Sequence, residues 1–479
     1  MITRFLLLFF IIGTSTFSFS QDLTIEKMWK NYEFFGASVD GFRSMKDGEH
    51  FTKTISDSKG SSIQKFSFKD SDGKGVVVVS PEILNGIQMD GYSFNSDETK
   101  VLIETQSESI YRRSYSAIFY LLDLETKKLI PLDEKRQPQT LAEYSPDGKK
   151  VSYIYENNLY VKDIASGEVT AITTDGNRNE IINGTTDWVY EEEFAITKGY
   201  DWSPDSKHIA FLKFNEKEVT EFTMMYFSEL YPDAYTFKYP KAGEDNSKVS
   251  LQMFKIEDQS TVKIDLGEYE YIPRLKWSGS SNKLIIQTLN RHQNHLKYYL
   301  VSAENENYDS KMFFEEKSET YIDVDDNLLI LKDGKTILRT SESNGYNHIY
   351  KLCFTGESTQ ITKGNWDVIQ FSGIDEEKGM IYYSSAEEGP IYKSIYKINL
   401  SGKGKKRISS ASGTNDSDFS TGMKYFVKSF SDANTPPVYT LCDNNGKELS
   451  TLEDNAALKS RLNNYTLSNK EFISFKGAK

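Results

Sequence analysis

Two cysteines, Cys353 and Cys442, are too few to frame a fold with disulfides, although one bridge between them is open in an oxidising compartment. Proline is scarce too, at 11 residues, which excludes collagen-like and Pro-rich low-complexity chains. Clustered positive charge is missing. The formal net charge is −13, and the nearest basic run, Lys403-Gly-Lys-Lys-Arg407, sits in a Gly/Ser turn that reads as a solvated loop. A phosphate-binding face needs grouped Lys and Arg, so nucleic acid is not the expected partner. Beyond the first twenty residues no segment reaches the ~18 consecutive apolar residues of a membrane-spanning helix, so no span is expected in the mature chain.

What the chain does have is aromatic and apolar material for a large core. It carries 30 Tyr and 29 Phe, with 38% hydrophobic and 27% charged residues, which excludes intrinsic disorder. The first twenty residues read as a secretory signal. Arg4 supplies the charge, Phe5 to Ile12 the short apolar stretch, and Ser18-Phe-Ser20 the small residues before a cleavage site. Gln21 follows, not Cys, so a lipid anchor is not expected. The expectation is export, to the periplasm or outside the cell.

Length alone suggests about three domains, but internal repeats override that prior. Thr24 to Phe35 places apolar residues near helical spacing and predicts one short helix. Most of the remainder reads as short strands. One unit recurs: an aromatic, Ser, a Pro-Asp or Asn-Ser-Asp turn, then an alternating strand. It starts at Tyr92, Tyr144 and Trp202, and more weakly at Trp277. Pro presets the turn dihedral, Asp or Asn accepts a local backbone bond, and Gly tolerates positive φ. The aromatic is left to pack between units. A period of about 50 residues with several strands per unit is the signature of a β-propeller, with room for seven or eight blades. An array of β-sandwiches would need roughly 100 residues per unit, and fewer repeated turns. Between Trp202 and Trp277 lies an insertion, residues 219–239, rich in Phe, Met and Tyr. Either it folds back on the propeller or it is a protein–protein arm.

A self-contained catalytic centre is hard to find. No Gly-x-Ser-x-Gly elbow exists; Gly356-Glu-Ser-Thr-Gln360 lacks the closing glycine. His292 and His295 would lie on opposite faces of a strand, so no metal site is expected from them. Gly73-Lys-Gly75 runs into four valines without the helix that a phosphate loop needs. No cofactor is expected. The informative segment is Asp187-Trp-Val-Tyr-Glu-Glu-Glu193. An acidic triplet is ordinarily a solvated face. Here it is flanked by Trp188, Tyr190 and Phe194, and on a helical turn adjacent carboxylates can lean into one cavity and bind a protonated amine. Arg112, in Tyr111-Arg-Arg-Ser-Tyr115, could steady a nearby carbonyl or carboxylate; otherwise it is an ordinary surface Arg.

That acidic heptad, followed by Trp202-Ser-Pro-Asp, resembles the double-Glu motif of dipeptidyl peptidase IV in the prolyl oligopeptidase family. Tyr239-Pro-Lys-Ala-Gly-Glu-Asp-Asn246, Tyr111-Arg-Arg-Ser-Tyr115, Gly345-Tyr-Asn-His-Ile349 and Ile361-Thr-Lys-Gly-Asn-Trp-Asp-Val368 are similar to further segments of that family, in one order along the chain. The resemblance implies an all-β, eight-bladed β-propeller over residues 21–475, after a signal peptide at 1–20. It also implies that residues 476–479 lead into an α/β-hydrolase domain that this chain does not contain. By motif position Glu192 and Glu193 would bind the free N-terminal ammonium of a peptide, and Arg112 its carbonyl region. Residues 219–239 would correspond to the family's dimerisation arm. Without the Ser–Asp–His triad of the hydrolase domain, the chain alone is expected to be inactive. A stand-alone peptide-binding or protein-interaction propeller is the alternative. The family's aromatic substrate contact has its nearest counterpart at about Ile330, which is aliphatic.

Overall fold

The computed structural model describes residues 22–39, 41–70, 73–279, 282–304 and 307–477. Residues 1–20, expected to be a signal peptide, lie outside them. Eight antiparallel sheets follow one another along the chain and form the blades of a propeller. Seven have four strands, each paired with its sequence neighbours. The fourth blade has five, because Tyr200–Trp202 pairs beside Ile181–Asn183 on His208–Asn215. A separate two-stranded hairpin, Glu221–Tyr226 with Asp233–Lys238, is inserted into that fourth blade.

The recurring turns explain this regularity. Tyr92, Tyr144, Trp202 and Trp277 sit in the first or turn-side strands of blades two to five, each ahead of a tight turn. The polar ends of three of them, Tyr92, Trp202 and Trp277, tie neighbouring blades. The Trp202 indole N–H donates to Ser152 Oγ at 2.8 Å, and that of Trp277 to the Asp201 carbonyl at 3.1 Å. The Tyr92 hydroxyl donates to Thr52 at 2.9 Å. Blades one and six carry the same turn without the aromatic signature, at Met45-Lys-Asp-Gly48 and Leu331-Lys-Asp-Gly334. In both, the glycine N–H closes onto the first residue's carbonyl.

The core is distributed around the ring as apolar clusters shared by neighbouring blades. Leu102 and Phe119 of blade two pack with Val151 and Tyr153 of blade three, and Ile381 of blade seven packs with Leu338 of blade six. The inner strands are buried almost continuously, as in Lys150–Tyr155, His208–Asn215 and Lys283–Leu289, because neighbouring blades cover both faces of the sheet. Closure of the ring uses side chains, since the first and last sheets share no strand. Phe51 and Phe68 pack with Val427 and Leu441, Phe68 stacks on Tyr425, and Lys424 pairs with Glu49 at 3.0 Å.

The N-terminal helix is shorter than its apolar spacing suggests. It spans Glu26–Lys30 as a single π-type turn, and Tyr32, at φ 52°, breaks its continuation. Cys353 and Cys442 are both free, on strands of blades six and eight. Burial pushes the Cys442 thiol up to about 11. Among the described residues no helix is long and apolar enough to cross a membrane.

Candidate functional site

The acidic heptad folds as a one-and-a-half-turn helix, Trp188–Glu193. Asp187 starts it. Its Oδ1 accepts from the Tyr190 N–H at 2.9 Å, and its Oδ2 from the Ser247 hydroxyl at 2.5 Å, so both oxygens of a buried carboxylate are used. Burial raises the Asp187 carboxyl above its ordinary value. Tyr190 points inward against Phe194 and Phe214, and its hydroxyl accepts from the Ile272 N–H at 2.9 Å, which fastens the helix to blade five.

With these anchors fixed, the triplet fans out by about 100° per residue. Glu191 is buried, Glu192 half-buried, and Glu193 exposed at the helix end. Arg112 reaches the helix from blade two, on the loop between Lys100–Ser109 and Tyr115–Asp123. Its Nε donates to Glu192 Oε2 at 2.8 Å. The Arg112 side chain is 72% exposed, so this pair contributes only about 0–1 kcal/mol and is free to rearrange. Glu193 makes no ion pair among the described residues. The Arg112 guanidinium of blade two thus meets the Glu192 carboxylate of blade four, with Glu193 next to it on the helix.

Ile330 is buried in the apolar core. The exposed aromatic electrostatically coupled to Glu193 is Tyr321. Its phenol is raised by partial burial, then by the carboxylates of Asp323 and Glu193. No sequence spacing pointed to Tyr321, because it lies in an irregular loop between strands. His292 and His295 do not share a strand. His292 lies in a turn, while His295 begins His295–Ser302 and contacts Glu315 at 2.7 Å. Among the described residues no group of three His, Cys, Asp or Glu side chains is placed to hold a metal.

The insertion folds back on the propeller at its base and leaves its tip uncovered. Its base folds back: Phe237 is buried and lies 6.3 Å from Trp188 between ring centres, and Tyr239 lies 4.2 Å from the same indole. The Tyr235 hydroxyl donates to that of Tyr111 at 3.0 Å. Its tip, with Phe227, Leu230 and Tyr231, stands exposed. A cavity of about 460 Å³ lies behind the helix, bounded by Tyr111, Arg113, Trp188, Glu191, Glu216 and Phe237. Glu216 is 5% exposed; burial, then the Asp187 carboxylate, pushes it up to about 7.

Comparison with known proteins identifies the family of the fold. Residues 95–437 match the dipeptidyl peptidase IV (DPP IV) N-terminal region. A probable dipeptidyl-aminopeptidase B of Phaeosphaeria nodorum is 30% identical over 411 residues, covering 78% of this chain and 45% of that protein. Dipeptidyl-aminopeptidase B of Aspergillus niger is 29% identical over 409 residues, covering 77% and 45%. The chain therefore spans less than half the length of these relatives. The crystal structure of Porphyromonas gingivalis dipeptidyl peptidase 4 superposes with a TM-score of 0.88 at 36% identity, over 95% of this chain and 65% of that one. This chain belongs to the dipeptidyl peptidase IV family, and the part of that family it matches is the N-terminal propeller region.

Proposed function

We propose that this propeller recognises the free N-terminus of peptides for an exported dipeptidyl peptidase IV-like serine peptidase that removes N-terminal dipeptides with Pro or Ala second. The observation that carries the reading is the placement of Glu192 and Glu193 on one anchored helical turn, with Arg112 brought against Glu192 from another blade. Two carboxylates bind an ammonium by charge-assisted hydrogen bonds, and a fixed ammonium site sets how far along the peptide the reacting bond lies. Arg112, released from Glu192 by the incoming ammonium, is then free to hold the peptide carbonyl. The propeller would also gate access to the catalytic face. With no Gly-x-Ser-x-Gly among its residues, the chain by itself binds peptides without turning them over. The charged-then-apolar leader ending at Ser20 supports export.

Titration of the mature chain with a Gly-Pro-containing peptide tests this. Glu192→Gln or Glu193→Gln should each weaken binding about 10- to 100-fold, the range for loss of a charge-assisted bond. Unchanged affinity in both variants would reject the reading.

The exposed apolar tip of the hairpin supports a second element of the proposal. A second copy of this chain covers it, in a homodimer built through residues 219–239.

A further inference from the structure

Glu191, the first carboxylate of the triplet, takes no part in the amine site as described, yet it is only 2% exposed. Its Oε1 accepts from the backbone N–H of Arg113 at 2.7 Å and from that of Ser114 at 2.8 Å. Its carbonyl oxygen accepts from the Arg113 guanidinium at 3.0 Å. All three bonds cross from the helix of blade four to the blade-two loop that carries Arg112. We propose that Glu191 is a positioning residue: it fixes that loop against the helix and so sets the spacing between Arg112 and the Glu192–Glu193 pair. The inference rests on the amine-site reading and describes how that site is assembled.

The competing account is that the Arg112–Glu192 ion pair sets the spacing itself. The Arg112 end of that pair is 72% exposed and open to screening by salt, although Glu192 is 15% exposed. The pair also has to yield when an ammonium competes for Glu192, so a loop held by it alone would loosen at the moment of binding. The Glu191 bonds are dry, and they run to backbone donors that cannot swing away. They involve neither the Arg112 side chain nor the ligand. They also hold more than two residues, because the Ser114 carbonyl accepts from the N–H of Ile110 at 2.8 Å and of Tyr111 at 3.4 Å. Fixing Ser114 therefore fixes the turn. Tyr235 tethers the same turn from its other side, through the Tyr111 hydroxyl. A carboxylate buried against backbone N–H groups is favourable only while those donors stay in place, so helix and loop are held in one arrangement.

Hydrogen exchange read by mass spectrometry on the full chain tests the proposal, with peptides covering residues 110–116. Glu191→Ala should speed exchange there at least tenfold while the strand His208–Asn215 keeps its protection. Glu191→Gln, whose amide oxygen still accepts both bonds, should stay near wild type. Arg112→Ala should leave the segment protected. Affinity for a free-amine Gly-Pro peptide should fall in Glu191→Ala and be restored in Glu191→Gln. Deprotection by Arg112→Ala equal to that by Glu191→Ala, or full protection in Glu191→Ala, overturns the proposal. If Glu191→Ala does not fold, the exposed Arg112→Ala variant decides by itself: retained protection supports Glu191 as the fixing residue, and lost protection overturns it. If the wild-type chain binds no amine peptide, the amine site fails, while the exchange result still decides what holds the loop.

Discussion

Glu216 shows how one buried group shapes the behaviour of the site. It borders the cavity behind the acidic helix, where burial and Asp187 both disfavour its charged form. Its carboxyl sits at about 7 in the folded chain against an ordinary 4.5. The folded state therefore holds a proton that the unfolded state releases, and stability falls as pH rises from about 4.5 to 7. The loss amounts to roughly 3 kcal/mol at most. Glu216→Gln, which cannot ionise, should be more stable than wild type at pH 8 and close to it at pH 4.5, read as urea midpoints. Parallel midpoints at the two pH values would contradict this. Residues of this kind were hidden in the sequence. Glu216 is one acidic residue in a charged stretch, and Glu191 differs from its neighbours only by the direction in which a helical turn points it.

The acidic helix and the hairpin are the two elements that make this propeller more than a ring of sheets. The heptad was legible as a site because three carboxylates among aromatics conflict with a plain surface or a plain core. Its helical form decides that Glu191 is buried while Glu192 and Glu193 stay accessible. The hairpin was legible only as an apolar excess. Its base folds back, with Phe237 and Tyr239 against Trp188, while the tip residues stay exposed, and the proposed dimer interface is confined to that tip. That division allows a variant confined to the tip. Replacing Phe227, Leu230 and Tyr231 with Ser should leave the fold and peptide affinity unchanged while shifting the sedimentation of the chain from dimer to monomer. A variant that sediments as the wild type does would remove the hairpin from the interface.

At the scale of the molecule, the ring closes without sharing a strand, so its ends depend on side chains. Asn455, at φ 55°, accepts from the Ala37 N–H at 2.7 Å and donates to the carbonyls of Ala37 at 3.0 Å and Pro437 at 2.8 Å. Asn455→Ala removes all three bonds and leaves a side chain that disfavours positive φ, at about 2–4 kcal/mol. Limited proteolysis should then cut residues 22–39 before any blade is lost; unchanged resistance would show that the N-terminal segment is held elsewhere. Four of the eight blades were legible from aromatic-Ser turns. Blades one and six keep the turn but not the aromatic, so the aromatic-Ser signature could not mark them. The central claim concerns the ammonium, and affinity against pH tests it most directly. A free-amine Gly-Pro peptide should bind the mature chain tightly at pH 6–7 and lose about tenfold per pH unit above ~8, where its amine deprotonates, while the N-acetylated peptide binds weakly throughout. Equal affinity for the two peptides, or no fall with pH, would contradict the account.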